Sequence, residues 1–258
     1  MILAIDVGNT NIVLGGIENG SAAFISRLST DTKKTEDEYA VQIKILTELN
    51  SCPTDKFTGA IISSVVPQIV GTLKAAVKKV TGHVPMVVSP GLKTGLDIKI
   101  DNPAQLGSDL VVGAVAAAAL YPKPFMVIDM GTATTICAVD KKGCYRGGII
   151  VPGVRVAMES LTKNTAQLQS IGIEAPKKAI GTNTIDCMRS GIVFGNAAMI
   201  DGLIDRMSRE IDGTPTLIAT GGLASSIIPY CTHDIIINDE LLLIGLELIF
   251  KKNLSNNQ

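Results

Sequence analysis

Two aspartates stand at the same place in the same local pattern. Asp6 closes an apolar run (residues 2–5) and is followed by Val7, Gly8, Asn9, Thr10 and Asn11 before Ile12, Val13 and Leu14 resume the apolar character. Asp129 closes residues 125–128 and leads through Met130, Gly131, Thr132, Ala133, Thr134 and Thr135 into the apolar residues 136–139. A strand that ends on a carboxylate, turns through glycine and threonine, and returns as a strand suits phosphate binding. Glycine lets the backbone approach a ligand closely. Successive turn N–H groups and a threonine hydroxyl donate to phosphate oxygens. Asp6 can hold, through water, the magnesium that accompanies a nucleotide. One such unit is also what an ordinary hairpin turn looks like. Two copies half a chain apart imply a duplicated fold with opposed phosphate-facing hairpins.

Two further stretches carry chemistry. In Asp101-Asn102-Pro103-Ala104-Gln105-Leu106-Gly107-Ser108-Asp109-Leu110, Asn102 caps a turn that Pro103 opens, and Ser108 is expected to cap a following helix. Asp109 then lies in the first helical turn, where the helix dipole favours an ionised carboxylate by a few tenths to about 1 kcal/mol. A helix-start acid is the ordinary use of such a residue. Thr220-Gly221-Gly222 follows an apolar strand at 215–219. Its bare backbone can lie along an adenine or a ribose.

The elements that must hold these residues follow from periodicity. After the first hairpin come a strand at 22–28, a helix at 35–49, a covered strand at 57–66, a helix from Pro67 to about 80 and a short strand at 84–88. Thr35 and Glu38 form a capping box for the first helix. Val41, Ile45 and Leu49 give it an apolar stripe expected to face inward. A helix covers about 108–120. The second half repeats the strand pattern, with strands through 151, a helix at 152–163 (Val156 and Leu161 inward) and a loop at 165–178. A long helix at about 184–210 turns Met188, Val193, Ala197, Ile200 and Ile204 inward. A strand near 235–237, a helix at 239–251 and a frayed tail at 255–258 complete the chain. This order predicts two mixed-sheet α/β domains, residues 1–115 and 116–258.

Composition excludes several alternatives. The net charge is −1, tryptophan is absent and aromatics make up 3% of the 258 residues, so neither a basic groove nor a stacking platform for nucleic acid is expected. The apolar run at 111–120 is too short to span a membrane, and the first residues lack the charged start of a signal peptide. Five cysteines without C-x-x-C spacing indicate reduced thiols and a cytoplasmic protein. Two widely separated histidines, His83 and His233, argue against structural zinc and a serine protease triad.

The stretches at 6–13, 63–67 (SSVVP), 101–109, 129–135, 147–153 (GGIIVPG), 181–184 (GTNT) and 220–222 together resemble the type III pantothenate kinases. These belong to the superfamily of actin, sugar kinases and acetate kinase. The resemblance implies a duplicated ribonuclease H-like (actin/sugar-kinase-like) α/β fold with an ATP cleft between the two domains. It implies transfer of the ATP γ-phosphoryl group to pantothenate, the first step of coenzyme A synthesis. On this resemblance Asp6, Val7, Gly8, Asn9, Thr10, Asn11, Ile12 and Val13 cradle the ATP phosphates, and Thr132 also contacts ATP. Gly107, Ser108, Asp109, Leu110 and Thr184 line the pantothenate site, and Asp109 is the catalytic base. Asp129 binds a monovalent cation, potassium or ammonium, besides the required magnesium. A homodimer is implied, with the helix at 111–120 and the helix carrying Gly191 and Gly195 as interface candidates. Two positions depart from the family pattern: Leu110 stands where arginine is common, and Ile100 where tyrosine is frequent. They leave open a catalytically weak nucleotide-binding regulator of the same fold, or a kinase of another small alcohol.

Overall fold

The structure is a computed structural model, described here for residues 1–165 and 167–254. The expected tail at 255–258 lies outside the described residues. In chain order the elements are β1 (Ile2–Val7), β2 (Asn11–Glu18), β3 (Ser21–Ser29), α1 (Glu36–Leu49), β4 (Ala60–Ser64), α2 (Pro67–Thr81), β5 (Met86–Val87), β6 (Asp97–Ile98) and α3 (Ser108–Leu120). Then follow β7 (Phe125–Met130), β8 (Ala133–Val139), β9 (Cys144–Pro152), α4 (Val154–Lys163), α5 (Thr184–Ser208), β10 (Thr216–Thr220), α6 (Ala224–Ile227), β11 (Ile236–Ile237) and α7 (Leu241–Leu254).

The first sheet has the order β3-β2-β1-β4-β5, and the second β11-β10-β7-β8-β9-β6. Apart from β6, one order is the other repeated. In each, three antiparallel strands are followed by two that run parallel to the first. The duplication inferred from the two D-x-G patterns is therefore present in the strand pairing. β1 is buried along its whole length, as befits a central strand covered on both faces.

The chain forms two compact units. One comprises Met1–Leu96, Asp101–Ala119 and the chain from Glu240 on; the other comprises Asp97–Ile100 and Leu120–Asp239. The single cut expected after residue 115 is replaced by this interleaving for two reasons. α7 packs on β1, β2 and β4, and β6 pairs with β9. Gly245 explains why α7 fits where it does: a Cβ there would lie 2.2 Å from the Val112 carbonyl oxygen of α3. Glu247 fixes the same helix to the β2–β3 turn. Its buried carboxylate accepts from the N–H groups of Asn19 (2.9 Å) and Gly20 (2.7 Å).

In the first unit, alternate residues of β1 and β2 (Leu3, Ile5, Val7, Ile12, Leu14) pack against α1 and α2. In the second, Met126, Ile128, Met130, Ile136 and Ala138 pack against α4, α5 and α6. Each such side chain taken from water contributes about 1.5–3 kcal/mol. The capping box at Thr35 and Glu38 forms as expected. The inward face of α1 does not. Val41, Ile45 and Leu49 are 56%, 48% and 74% exposed, while Tyr39, Ala40, Ile43 and Thr47 are buried. Tyr39 decides the matter: its hydroxyl donates to the Asp31 carbonyl (2.8 Å) and accepts from the Asp31 N–H (3.0 Å), which anchors its side of the helix. In α4, Val154 and Met158 are buried and Val156 and Leu161 exposed. α5 buries the expected Met188, Val193, Ala197, Ile200 and Ile204. Of the helix at 111–120, Val111 to Ala117 are internal core and Leu120 at its end is 47% exposed.

Candidate active site

The first hairpin is held by its own backbone. Asp6 pairs with Val13 and Val7 with Ile12. The Gly8 N–H donates to the Asn11 carbonyl (2.9 Å), and a Cβ at position 8 would sit 3.2 Å from that oxygen. Thr30 braces the turn from outside, its hydroxyl donating to the Gly8 carbonyl (2.7 Å) and its N–H to the Thr10 carbonyl (2.9 Å). Val7 and Ile12 point into the core, Asp6 is buried, and Asn9, Thr10 and Asn11 are exposed. A ligand at this turn therefore meets the backbone of 7–12 and the side chains of 9–11.

The second hairpin repeats the arrangement and adds a brace. The Gly131 N–H donates to the Ala133 carbonyl (3.1 Å), and the Gly153 N–H to the Thr132 carbonyl (3.1 Å). Asp129 lies opposite Thr135 across the strand pair and opposite Thr220 on β10. Gly221 has φ +97°, and a Cβ there would stand 2.6 Å from the Met130 nitrogen and 2.7 Å from Asp129 Oδ1. Asp129, Thr220 and Gly221 are thus brought together within the second unit. Sequence reasoning missed Thr134 and Thr135, whose hydroxyl oxygens are enclosed with no hydrogen-bond partner among the described residues. The hydroxyl-rich run Thr132, Thr134, Thr135 was the signal available.

The stretch before α3 matches its expected turn. Asn102 Oδ1 accepts from the Ala104 N–H (3.2 Å) over the short turn Pro103–Gln105. Ser108 departs from expectation: it is the first helical residue, not the cap, because its hydroxyl is engaged elsewhere. It donates to the Ser64 carbonyl (3.1 Å) and accepts from the Ser63 hydroxyl (3.0 Å). Ser63 is fully buried and is the register partner of Asp6. Asp109 is half-buried, and its Oδ1 accepts from the Leu110 N–H (2.8 Å). Burial pushes the Asp109 carboxyl above its ordinary value, outweighing the backbone N–H bonds that act the other way. A Cβ at Gly107 would lie 2.5 Å from Asp109 Oδ1, so only glycine leaves room for this carboxyl orientation. Leu110 is half-buried and spends its N–H on Asp109.

Thr184 opens α5 with its side chain exposed. Asn183 caps that helix, accepting from the Asp186 N–H (2.9 Å). A Cβ at Gly181 would lie 2.4 Å from the Cys187 nitrogen, so the chain folds tightly back on the helix start. Gly222 has open space around it and lies one residue beyond the Gly221 contact with Asp129. Among the described residues no three His, Cys, Asp or Glu side chains cluster as metal ligands, and no helix is long and apolar enough to cross a membrane.

The two sheets, which repeat one order of five strands, and their hairpins define the class, a duplicated ribonuclease H-like fold of the actin and sugar-kinase type. Two solved structures share it. Component A of (R)-2-hydroxyglutaryl-CoA dehydratase from Acidaminococcus fermentans superposes with TM-score 0.58 at 15% identity, covering 98% of both chains. The ROK hexokinase from Thermus thermophilus does so with TM-score 0.52 at 12% identity, covering 99% of both. The sequence pattern described as Type III pantothenate kinase matches residues 2–206. The Type III pantothenate kinase of Halalkalibacterium halodurans is 45% identical over 253 residues, 98% of this chain and 100% of that protein. The chain belongs to the type III pantothenate kinase family.

Proposed function

We propose that the protein phosphorylates pantothenate with ATP, the first step of coenzyme A biosynthesis. Family membership supports the reaction. The observation that carries the mechanism is Asp109: a half-buried carboxyl raised above its ordinary value, on the first turn of α3, tied through Ser108 and Ser63 to β4, where Ser63 is the register partner of Asp6 on β1.

Phosphoryl transfer passes through a loose transition state, and catalysis is mainly positioning and charge neutralisation. Asp109 orients the primary alcohol of pantothenate and takes its proton as the oxygen–phosphorus bond forms and the bond to ADP breaks. A carboxyl made more basic by burial holds that proton better than an ordinary aspartate. The backbone of 7–12 and the side chains of Asn9, Thr10 and Asn11 donate to the phosphates, with Thr132, Gly221 and Gly222 as further ATP contacts. Gly107, Ser108, Leu110 and Thr184 line the acceptor site.

The residues fit two cations, each on one protein carboxylate. Asp6, buried at the end of β1, would hold magnesium through water. Asp129, beside the enclosed Thr135 hydroxyl and the bare Gly221 backbone, would hold potassium or ammonium. When bound, these cations neutralise phosphate charge that no lysine of either hairpin could balance. The reading includes a homodimer, with the α5 helix that carries Gly191 and Gly195 as its candidate interface. Five free cysteines support a cytoplasmic setting.

The test is turnover with purified protein, ATP-magnesium, potassium and a panel of small alcohols, scored for ADP and for phosphorylated product by mass spectrometry. Phosphorylation of pantothenate alone is expected. ATP binding without turnover on any alcohol, or turnover on another alcohol only, refutes the assignment.

A further inference from the structure

Ser63 lies outside the residues assigned above, yet it sits between them. It is fully buried on β4, in parallel register with Asp6 of β1. Register partners on adjacent strands project to the same face of a sheet. Its hydroxyl donates to Ser108 Oγ at 3.0 Å, and Ser108 in turn donates to the Ser64 carbonyl at 3.1 Å. The Ser108 hydroxyl is therefore held from both sides by the end of one strand. Ser108 immediately precedes Asp109. The end of β4 is itself fixed, because the Val65 N–H donates to the Val7 carbonyl (3.0 Å) and Ser64 Oγ accepts from the Val66 N–H (3.0 Å).

Hydroxyls are not needed for strand packing at a fully buried position, where alanine or valine would serve. A buried hydroxyl retains a net advantage only where it is bonded. Here both members of the pair are bonded, and the bond joins the strand pair behind the first hairpin to the helix start that carries Asp109. Ser108 gives up the capping position that its residue type favours in order to make this contact. In the second unit Thr220 holds the equivalent place beside Asp129.

We propose that Ser63 is a positioning residue for phosphoryl transfer: through the Ser63–Ser108 hydroxyl pair it sets the first turn of α3, and hence Asp109, against the strand that carries Asp6. The inference rests on the reading of Asp109 as the base. It acts on the chemical step, since the ATP turn at 8–11 is braced separately by Thr30.

The experiment compares Ser63→Ala, Ser108→Ala, the double variant and Asp109→Asn in steady-state kinetics with ATP and pantothenate, alongside melting temperatures. One lost hydroxyl bond predicts a roughly threefold to tenfold lower kcat for Ser63→Ala, with KM for ATP within twofold of the parent. Because Ser108→Ala breaks the same bond from its half-buried end, adding Ser63→Ala to it is expected to cost no further activity. A kcat within twofold of the parent for Ser63→Ala overturns the proposal. So does a double variant whose loss is the product of the two single losses, or a kcat loss matched by a rise in KM for ATP. Normal turnover in Asp109→Asn overturns the role of Asp109 itself. A normal Ser63→Ala beside an inactive Asp109→Asn overturns only the hydroxyl pair.

Discussion

Adjacent glycines at 221 and 222 should behave as opposites. Gly221 adopts φ +97°, and a Cβ there would come within 2.6 Å of the Met130 nitrogen and 2.7 Å of Asp129 Oδ1 and the Met130 carbonyl carbon. Ordinary contacts begin near 3.4 Å, so about 0.8 Å of overlap must be relieved. Neither side yields cheaply, because β10 is paired to β7 up to Thr220 and Asp129, and β7 is paired to β8. The left-handed conformation costs an L-residue about 1–2 kcal/mol, and displacing packed backbone adds about 1–2 kcal/mol. Gly221→Ala is therefore expected to lose roughly 2–4 kcal/mol, a drop of roughly 5–15 °C in melting temperature for a chain of this size. On the proposed cation role of Asp129, displacing its carboxylate should also raise the half-saturating potassium concentration. Gly222 has open space around it, so Gly222→Ala should melt within about 2 °C of the parent. If bare backbone at 222 lies along the nucleotide, that variant raises KM for ATP without loss of stability. A Gly221→Ala protein that melts with the parent would refute the argument from backbone contact.

Asp109→Asn should abolish transfer, leave ATP binding intact and raise the melting temperature. Its carboxyl is raised in the folded state, so ionisation costs folded stability: the cost is absent below the unfolded value, grows as pH rises through the folded one, and is removed by asparagine. An unchanged melting temperature at neutral pH would contradict the burial. In the parent enzyme the acidic limb of kcat should fall above the range of an ordinary aspartate, because transfer needs the ionised form. Glu247→Ala should destabilise by about 1–2 kcal/mol, since it removes the acceptor of the Asn19 and Gly20 N–H groups that ties α7 to the β2–β3 turn; urea unfolding measures this, and an unchanged stability would refute it. Replacing potassium by sodium should sharply reduce turnover and the thermal shift that ATP gives; equal values for the two ions would count against the cation role of Asp129.

What was legible in the sequence was local or repeated. The capping box at Thr35, the turn at Asn102, the inward face of α5 and the D-x-G duplication are each carried by a few neighbouring residues or by a pattern met twice. What failed was decided at a distance. α1 offers two stripes at four-residue spacing, Val41-Ile45-Leu49 and Tyr39-Ile43-Thr47, and apolar character favours the wrong one. The choice belongs to the Tyr39 hydroxyl and the Asp31 backbone, outside the helix. α7 follows the whole second unit in sequence but belongs to the first, because Gly245 fits against Val112 and Glu247 grips the β2–β3 turn. Position in the chain carried no sign of either contact.

Asp109 joins the two kinds of information. Its place on the first helical turn is local and was readable; by itself that place favours the charged form. The net direction is opposite because Gly107 lets the carboxyl fold back beside Leu110, where burial outweighs the N–H bonds it receives. The two hydroxyls that hold the turn come from positions 45 residues apart, a separation at which sequence pattern says nothing. The two copies of the hairpin then differ in a way that their motif does not reveal. Asp6 shares its strand register with Ser63, whose hydroxyl reaches the start of α3, whereas Asp129 shares its own with Thr135 and Thr220 and lies against the bare backbone of Gly221. One motif, duplicated, is thus tied in the first unit to the helix that carries Asp109 and in the second leaves bare backbone against a carboxylate.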